Sequence, residues 1–97
     1  MKNVCYMKNG VIEINGDICW YKNDLLHRED GPAVICAIGD RYWYFEDKLH
    51  RKDGPAVETV DGYKEWWVNG KLYMRDTNGI LEVESEFLKN LIKNPKP

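Results

Sequence analysis

LHREDGPAV at residues 26–34 returns as LHRKDGPAV at residues 49–57, with Glu29 exchanged for Lys52 and nothing else altered. Text written twice marks either a repeated site or a repeated structural unit, and the flanking sequence helps to separate the two. Aligned on tryptophan, Trp20 opens WYKNDLLHREDGPAVICAIGDRY and Trp43 opens WYFEDKLHRKDGPAVETVDGYKE, two units of 23 residues with twelve identical positions. A third unit, WWVNGKLYMRDTNGI, starts at Trp66 and holds register through Leu72. It places Tyr73 where His27 and His50 stand, and it has no Gly-Pro. A truncated unit, KNGVIEINGDICW, comes first, with Gly16, Gly39 and Gly62 each four residues before a tryptophan. Two good repeats between two degenerate ones is the layout of an array with terminal caps. It divides a single domain, 1–97, into a degenerate repeat at 1–19, repeats at 20–42 and 43–65, a partial repeat at 66–79, and a closing segment at 80–97.

The punctuation inside a unit fixes the fold class. Asn69-Gly70 is a two-residue hairpin signal, and Asn23-Asp24 and Glu46-Asp47 fill the same slot. Asn15-Gly16, Gly39-Asp40 and Asp61-Gly62 mark a second turn, and Asp30-Gly31-Pro32 and Asp53-Gly54-Pro55 a third break. Proline has no N–H to give a ladder, so that break lies at a strand start or an edge. Between the breaks run AVIC, RYWYF, AVETV and KEWWV, short stretches rich in β-branched and aromatic residues. The expectation is a mainly β protein, an antiparallel meander of tandem hairpin repeats. In SEFLKNLIKN, Phe87, Leu88, Leu91 and Ile92 recur at helical spacing behind the candidate N-cap Ser85, which predicts one C-terminal α-helix.

Composition narrows the function. Ninety-seven residues with a net charge of −2 offer no basic excess for nucleic acid and no apolar run of membrane-spanning length. The N-terminus lacks the apolar region of a secretory signal, so a cytoplasmic protein is expected. Cys5, Cys19 and Cys36 are odd in number and lack metal-type spacing, so they read as reduced packing residues. No cofactor and no metal site is implied. No nucleophile recurs beside the histidines and no phosphate-cradling loop precedes a helix, so an enzyme is not expected.

Strand alternation puts Trp20, Trp43 and Trp66 on one face, and Tyr21, Tyr44 and Trp67 on the other. Large aromatics on both faces imply one of three things. The sheet curls and buries both ladders, the chain pairs with a copy of itself, or one ladder is a working surface. The candidate partner-binding residues are Tyr21, Tyr44, Trp67, Arg28 and Arg51. The alternative is an anion site, for instance for a nucleotide, built from His27, Arg28, His50 and Arg51. Against that stands a purely structural reading. The aspartates cap their own turns, Arg28 and Arg51 pair with Asp30 and Asp53, and each histidine packs on a neighbouring tryptophan. Retention of Leu, Gly, Pro, Ala and Val alongside His and Arg favours the structural reading.

WYKNDLLHREDGPAV, WYFEDKLHRKDGPAV and, in part, WWVNGKLYMRD resemble a variant of the MORN repeat, over roughly residues 9–76. The resemblance implies successive β-hairpins in one sheet, and protein or lipid contacts rather than catalysis. Variants of this kind occur in small proteins of bacteriophages, giant viruses and bacteria, some of them antitoxin-like. The expected function is therefore a non-enzymatic inhibitor that docks on a host protein, with no membrane or nucleic-acid partner.

Overall fold

The structure, a computed structural model, describes residues 8–84; the expected C-terminal helix and Cys5 lie outside them. The described residues are all β. Strands β1 (Gly10–Ile14), β2 (Asp17–Lys22), β4 (Val34–Ile35), β5 (Arg41–Tyr42), β8 (Val57–Glu58), β9 (Lys64–Val68), β10 (Lys71–Thr77) and β11 (Ile80–Val83) follow one another as an antiparallel meander. β3 (Leu25–Leu26) pairs with the end of β2, and β6 (Tyr44–Phe45) with β7 (Lys48–Leu49).

Each repeat is a hairpin whose return strand is interrupted. Tyr21 lies opposite Leu26, and Cys19 lies opposite Val34. Between those pairs Trp20 serves two partners: its carbonyl accepts from His27 N at 3.0 Å, and its N–H donates to Ala33 O at 2.8 Å. Residues 28–32 are thus a loop thrown out opposite one tryptophan. Repeat two does the same, with His50 N donating to Trp43 O at 3.0 Å and Trp43 N to Ala56 O at 2.8 Å, throwing out residues 51–55. Proline at the end of each loop has no donor to lose there.

The hairpin turns are two-residue turns with both central residues at positive φ, the form whose twist matches the flanking strands. Asn15-Gly16, Asn23-Asp24, Glu46-Asp47, Asn69-Gly70 and Asn78-Gly79 all adopt it. Asn15-Gly16 and Asn78-Gly79 stand at the two ends of the rim opposite the other three, and between them the turns are longer. Gly39 N donates to Cys36 O and Cys36 N to Asp40 O, both at 2.8 Å, and the Thr59–Tyr63 turn copies the pattern. Gly39 closes its turn at φ 107°, and a Cβ there would stand 2.5 Å from Val60 Cγ1, so two reasons demand glycine at this position.

The core is small. Ala33 and Ala56 are fully buried and Val57 is 5% exposed, but no large side chain among the described residues is fully buried. A sheet curled tightly enough to bury both aromatic ladders would show the opposite. Trp20, Trp43, Trp66, Tyr21, Tyr44 and Trp67 are all half-buried. Hydrogen bonds between repeats hold this thin sheet together instead, as the histidines and aspartates show.

Candidate binding surfaces

The twice-written stretch is first of all a structural device. Arg28 folds back over its own repeat's tryptophan, its Cζ 3.9 Å from the Trp20 ring centroid, and Arg51 takes the same place on Trp43 at 3.9 Å. Arg28 Nε donates to Asp30 Oδ1 at 2.9 Å and Nη1 to Pro32 O at 3.1 Å. Arg51 repeats both bonds, to Asp53 Oδ1 at 3.1 Å and to Pro55 O at 3.0 Å. One guanidinium therefore closes each loop from within. Glycine leaves room for it, since a Cβ on Gly31 or Gly54 would approach the arginine Cζ to 2.8 or 2.9 Å and push the guanidinium from its place. The side chains of Arg28 and Arg51 are 24% and 23% exposed. Arg51 gains a further partner in Glu58 at 3.4 Å, which also pairs with Arg41 at 3.1 Å.

The histidines tie one repeat to the next. Glu46 N donates to His27 Nδ1 at 3.1 Å and Asn69 N to His50 Nδ1 at 2.9 Å. Asn9 Oδ1 performs the same service for Asn23 N at 2.9 Å. The second turn residue is held as well. Asp47 N donates to Leu26 O while Leu26 N donates to Asp47 Oδ1, at 2.8 and 2.7 Å. On the opposite rim Asp17 Oδ1 accepts from Ala37 N at 2.7 Å, and Asp40 Oδ1 from Val60 N at 2.9 Å. Histidine packing differs from the sequence expectation. Arginine, not histidine, lies on the tryptophan, and His27 sits beside Phe45 at 4.4 Å between ring centroids. The loop carries the guanidinium back over the strand it left and turns the imidazole toward the next hairpin.

The four residues of the anion alternative are thus brought to one side of the sheet, with both arginines already bonded within their loops. His27 is buried, 7% exposed, with Nε2 bonded to Glu29 Oε2 at 3.0 Å. Accepting at Nδ1 requires the ring proton on Nε2, so His50 carries a second donor. No side-chain hydrogen bond from that nitrogen is formed among the described residues. Between the two loops lies an open groove of about 680 Å³ lined by Glu29, Asp30, Phe45, His50, Arg51 and Lys52 among others. The sequence reading missed Phe45 and the Glu29/Lys52 difference as site features, although the single exchange between the repeats was the signal.

The other face carries Tyr21, Tyr44 and Trp67. Each has a leucine directly opposite, Leu26, Leu49 and Leu72, so aromatic–leucine pairs step across three units. Directly opposed side chains share a face, so the pairs form one row. Burial raises the Tyr44 phenol above its usual range, with smaller contributions from Asp47 and Cys36. Lys8 Nζ lies over the Tyr21 ring at 4.8 Å, and Trp67 Nε1 donates to Glu65 Oε1 at 2.7 Å. Burial, followed by Asp17 and Asp40, also raises the Cys36 thiol, which leaves little thiolate near neutral pH. Among the described residues no cluster of three or more His, Cys, Asp or Glu side chains is placed to hold a metal ion.

Comparison of the chain with family models, with curated proteins and with solved structures gives no match.

Proposed function

We propose that this protein is a non-enzymatic binding module that docks on another protein through the aromatic–leucine face of its repeat sheet. The supporting observation is that row itself, with Tyr21, Tyr44 and Trp67 half-buried and each backed by a leucine across the strand pair. Rigid aromatics on a hydrogen-bonded sheet offer large contact area at little ordering cost. Arg28 and Arg51, stacked on Trp20 and Trp43, lie on the other side of the sheet and take no part in this face. The resemblance to MORN-repeat variants of phages and bacteria adds the finer reading, a small antitoxin-like or phage-type inhibitor that occupies a host protein in the cytoplasm.

The test is affinity capture from bacterial lysate with the wild-type chain and with Y44A and W67A, after thermal melts have shown which variants keep the fold. The expected result is one host protein held in fixed ratio by wild type and released by the folded variants. Folded variants that retain the same protein in the same amount would remove this face from the reading. A wild type that retains no protein would remove the reading itself.

A further inference from the structure

The one exchange between the two copies of the repeated stretch changes what the loops present. In the first loop, residues 28–32, Arg28 is positive and Glu29 and Asp30 negative, a sum of −1. In the second, residues 51–55, Arg51 and Lys52 are positive and Asp53 negative, a sum of +1. The internal bonds of the loops match, so two surfaces of one shape carry opposite charge side by side. They flank the groove in which Phe45, 39% exposed, lies between the rings of His27 at 4.4 Å and His50 at 5.9 Å.

A surface of this kind is complementary to itself. A two-fold axis midway between the loops sets the first loop of one copy against the second loop of the other, and reciprocally, as an isologous contact requires. The same operation brings the exposed Phe45 rings together at the axis and leaves the charges around them, an apolar centre with a polar rim. The opposite arrangement, first loop on first loop, juxtaposes like charges. We propose that the loop face is a homodimer interface, in which Glu29 of each copy pairs with Lys52 of the other and the two Phe45 rings meet at the axis.

Two details on the same face agree. The Glu29 side chain is 68% exposed and His27 takes only Oε2, so among the described residues Oε1 is left to accept across the axis. Lys52 lines the groove and forms no ion pair among the described residues. Beside it His50 directs an Nε2 proton that has no side-chain acceptor among the described residues. In the first loop Glu29 closes its own histidine. In the second, lysine in its place leaves the histidine open and adds a cation. A carboxylate from the partner copy satisfies both donors. This proposal does not rest on the aromatic–leucine face, and the two surfaces lie on opposite sides of the sheet.

Sedimentation equilibrium of the full chain tests it, with wild type, K52E, E29K, the double swap E29K/K52E, and F45A. Wild type is expected to dimerise. Each single reversal should weaken the dimer by at least about tenfold, since both symmetry-related pairs become like-charged. The double swap restores opposite charges across the axis and should return affinity to within about threefold of wild type. It also moves the Glu–His pair from the first loop to the second, so a mere loss of folded protein cannot mimic the pattern. F45A should weaken association without changing its charge dependence. A wild type that stays monomeric at about 1 mM, where weak specific contacts still register, overturns the proposal. So does a dimer indifferent to the single reversals, or a double swap that fails to restore it. An acidic peptide that fills the groove of a monomeric wild type counts against it equally.

Discussion

Repeats one and two set seven residues opposite their tryptophan, 27–33 and 50–56, whereas the third unit sets two, Tyr73 and Met74. There Trp67 pairs with Leu72 and Trp66 with Met74, so Tyr73 alone is extra and β10 runs on unbroken to Thr77. The chain positions correspond, so the difference lies in the side chains. Met74 stands where Arg28 and Arg51 stand, and Thr77 where Gly31 and Gly54 stand. Without a guanidinium there is nothing to reach back over the tryptophan or to hold a carbonyl at the loop's far end. Without proline the chain regains the donor that a continuous ladder uses. Asp76, matching Asp30 and Asp53, caps a tight turn through Gly79 N at 2.7 Å instead of an arginine. The comparison teaches that the loop is held by one arginine, in contact with three groups in repeat one and four in repeat two, and that the unit without it runs on as a hairpin.

The strongest way to break the comparison is to write the third unit's residue into the second. Arg51→Met removes the stack on Trp43, the bond to Pro55 O and the pairs with Asp53 and Glu58. A charged hydrogen bond and a cation–π contact together are worth about 2–4 kcal/mol. Urea unfolding should show a loss of that size, with the slope retained. Gly54→Ala should act through the same arginine, because its Cβ would meet Arg51 Cζ at 2.9 Å, at a cost of about 1–3 kcal/mol. In the double variant the alanine should then cost little, as Thr77 does beside Met74. Additive losses in that cycle would mean that the glycine serves the backbone rather than the guanidinium.

Much of this was legible in the sequence. The 23-residue period, the turn positions and the pairing of each arginine with its aspartate all follow from local spacing and turn chemistry. What was not legible depends on register between units. Nothing near His27 announces that its Nδ1 meets Glu46 N, 19 residues on, because that bond exists only once two hairpins lie side by side. The arginine–tryptophan stack likewise needs the loop's path, and equal spacing would allow a histidine there. The contrast between Arg51 and Met74 was available to simple alignment, and it marks the one place where the loop ends.

The turns offer a gentler way to sharpen the comparison. Asn23 and Asn69 occupy the first turn position at φ 51° and 50°, and repeat two places Glu46 there at φ 49°. Asparagine tolerates this left-handed backbone. Glutamate pays roughly 1 kcal/mol for it. The strain persists because both turn N–H groups are bound, to His27 Nδ1 and Leu26 O. Glu46→Asn keeps those bonds and should raise stability by about 0.5–1 kcal/mol, read by the urea midpoint. No gain would show that the inter-repeat bonds, not the local conformation, set the energy of this turn.

The smallest effect tests the charge within the first loop. The hydrogen bond from Arg28, and then its charge, hold the Asp30 carboxyl below the usual aspartate range. A depressed folded-state value means that the unfolded chain takes up the proton first as acid is added. The aspartate's contribution is therefore complete above the unfolded value, near pH 4, and drains away as the pH falls through the folded one. Asp30→Asn keeps an oxygen for Arg28 Nε but abolishes the charge. The gap in stability between wild type and this variant should be flat from pH 7 to about 5 and should close below about 4. The carboxylate is exposed, so solvent screens the pair and the gap should be modest and shrink further in salt. A gap that stays constant into acid would assign the aspartate's role to turn geometry alone. In that case the loops would differ from the third unit by the reach of arginine and not by its charge.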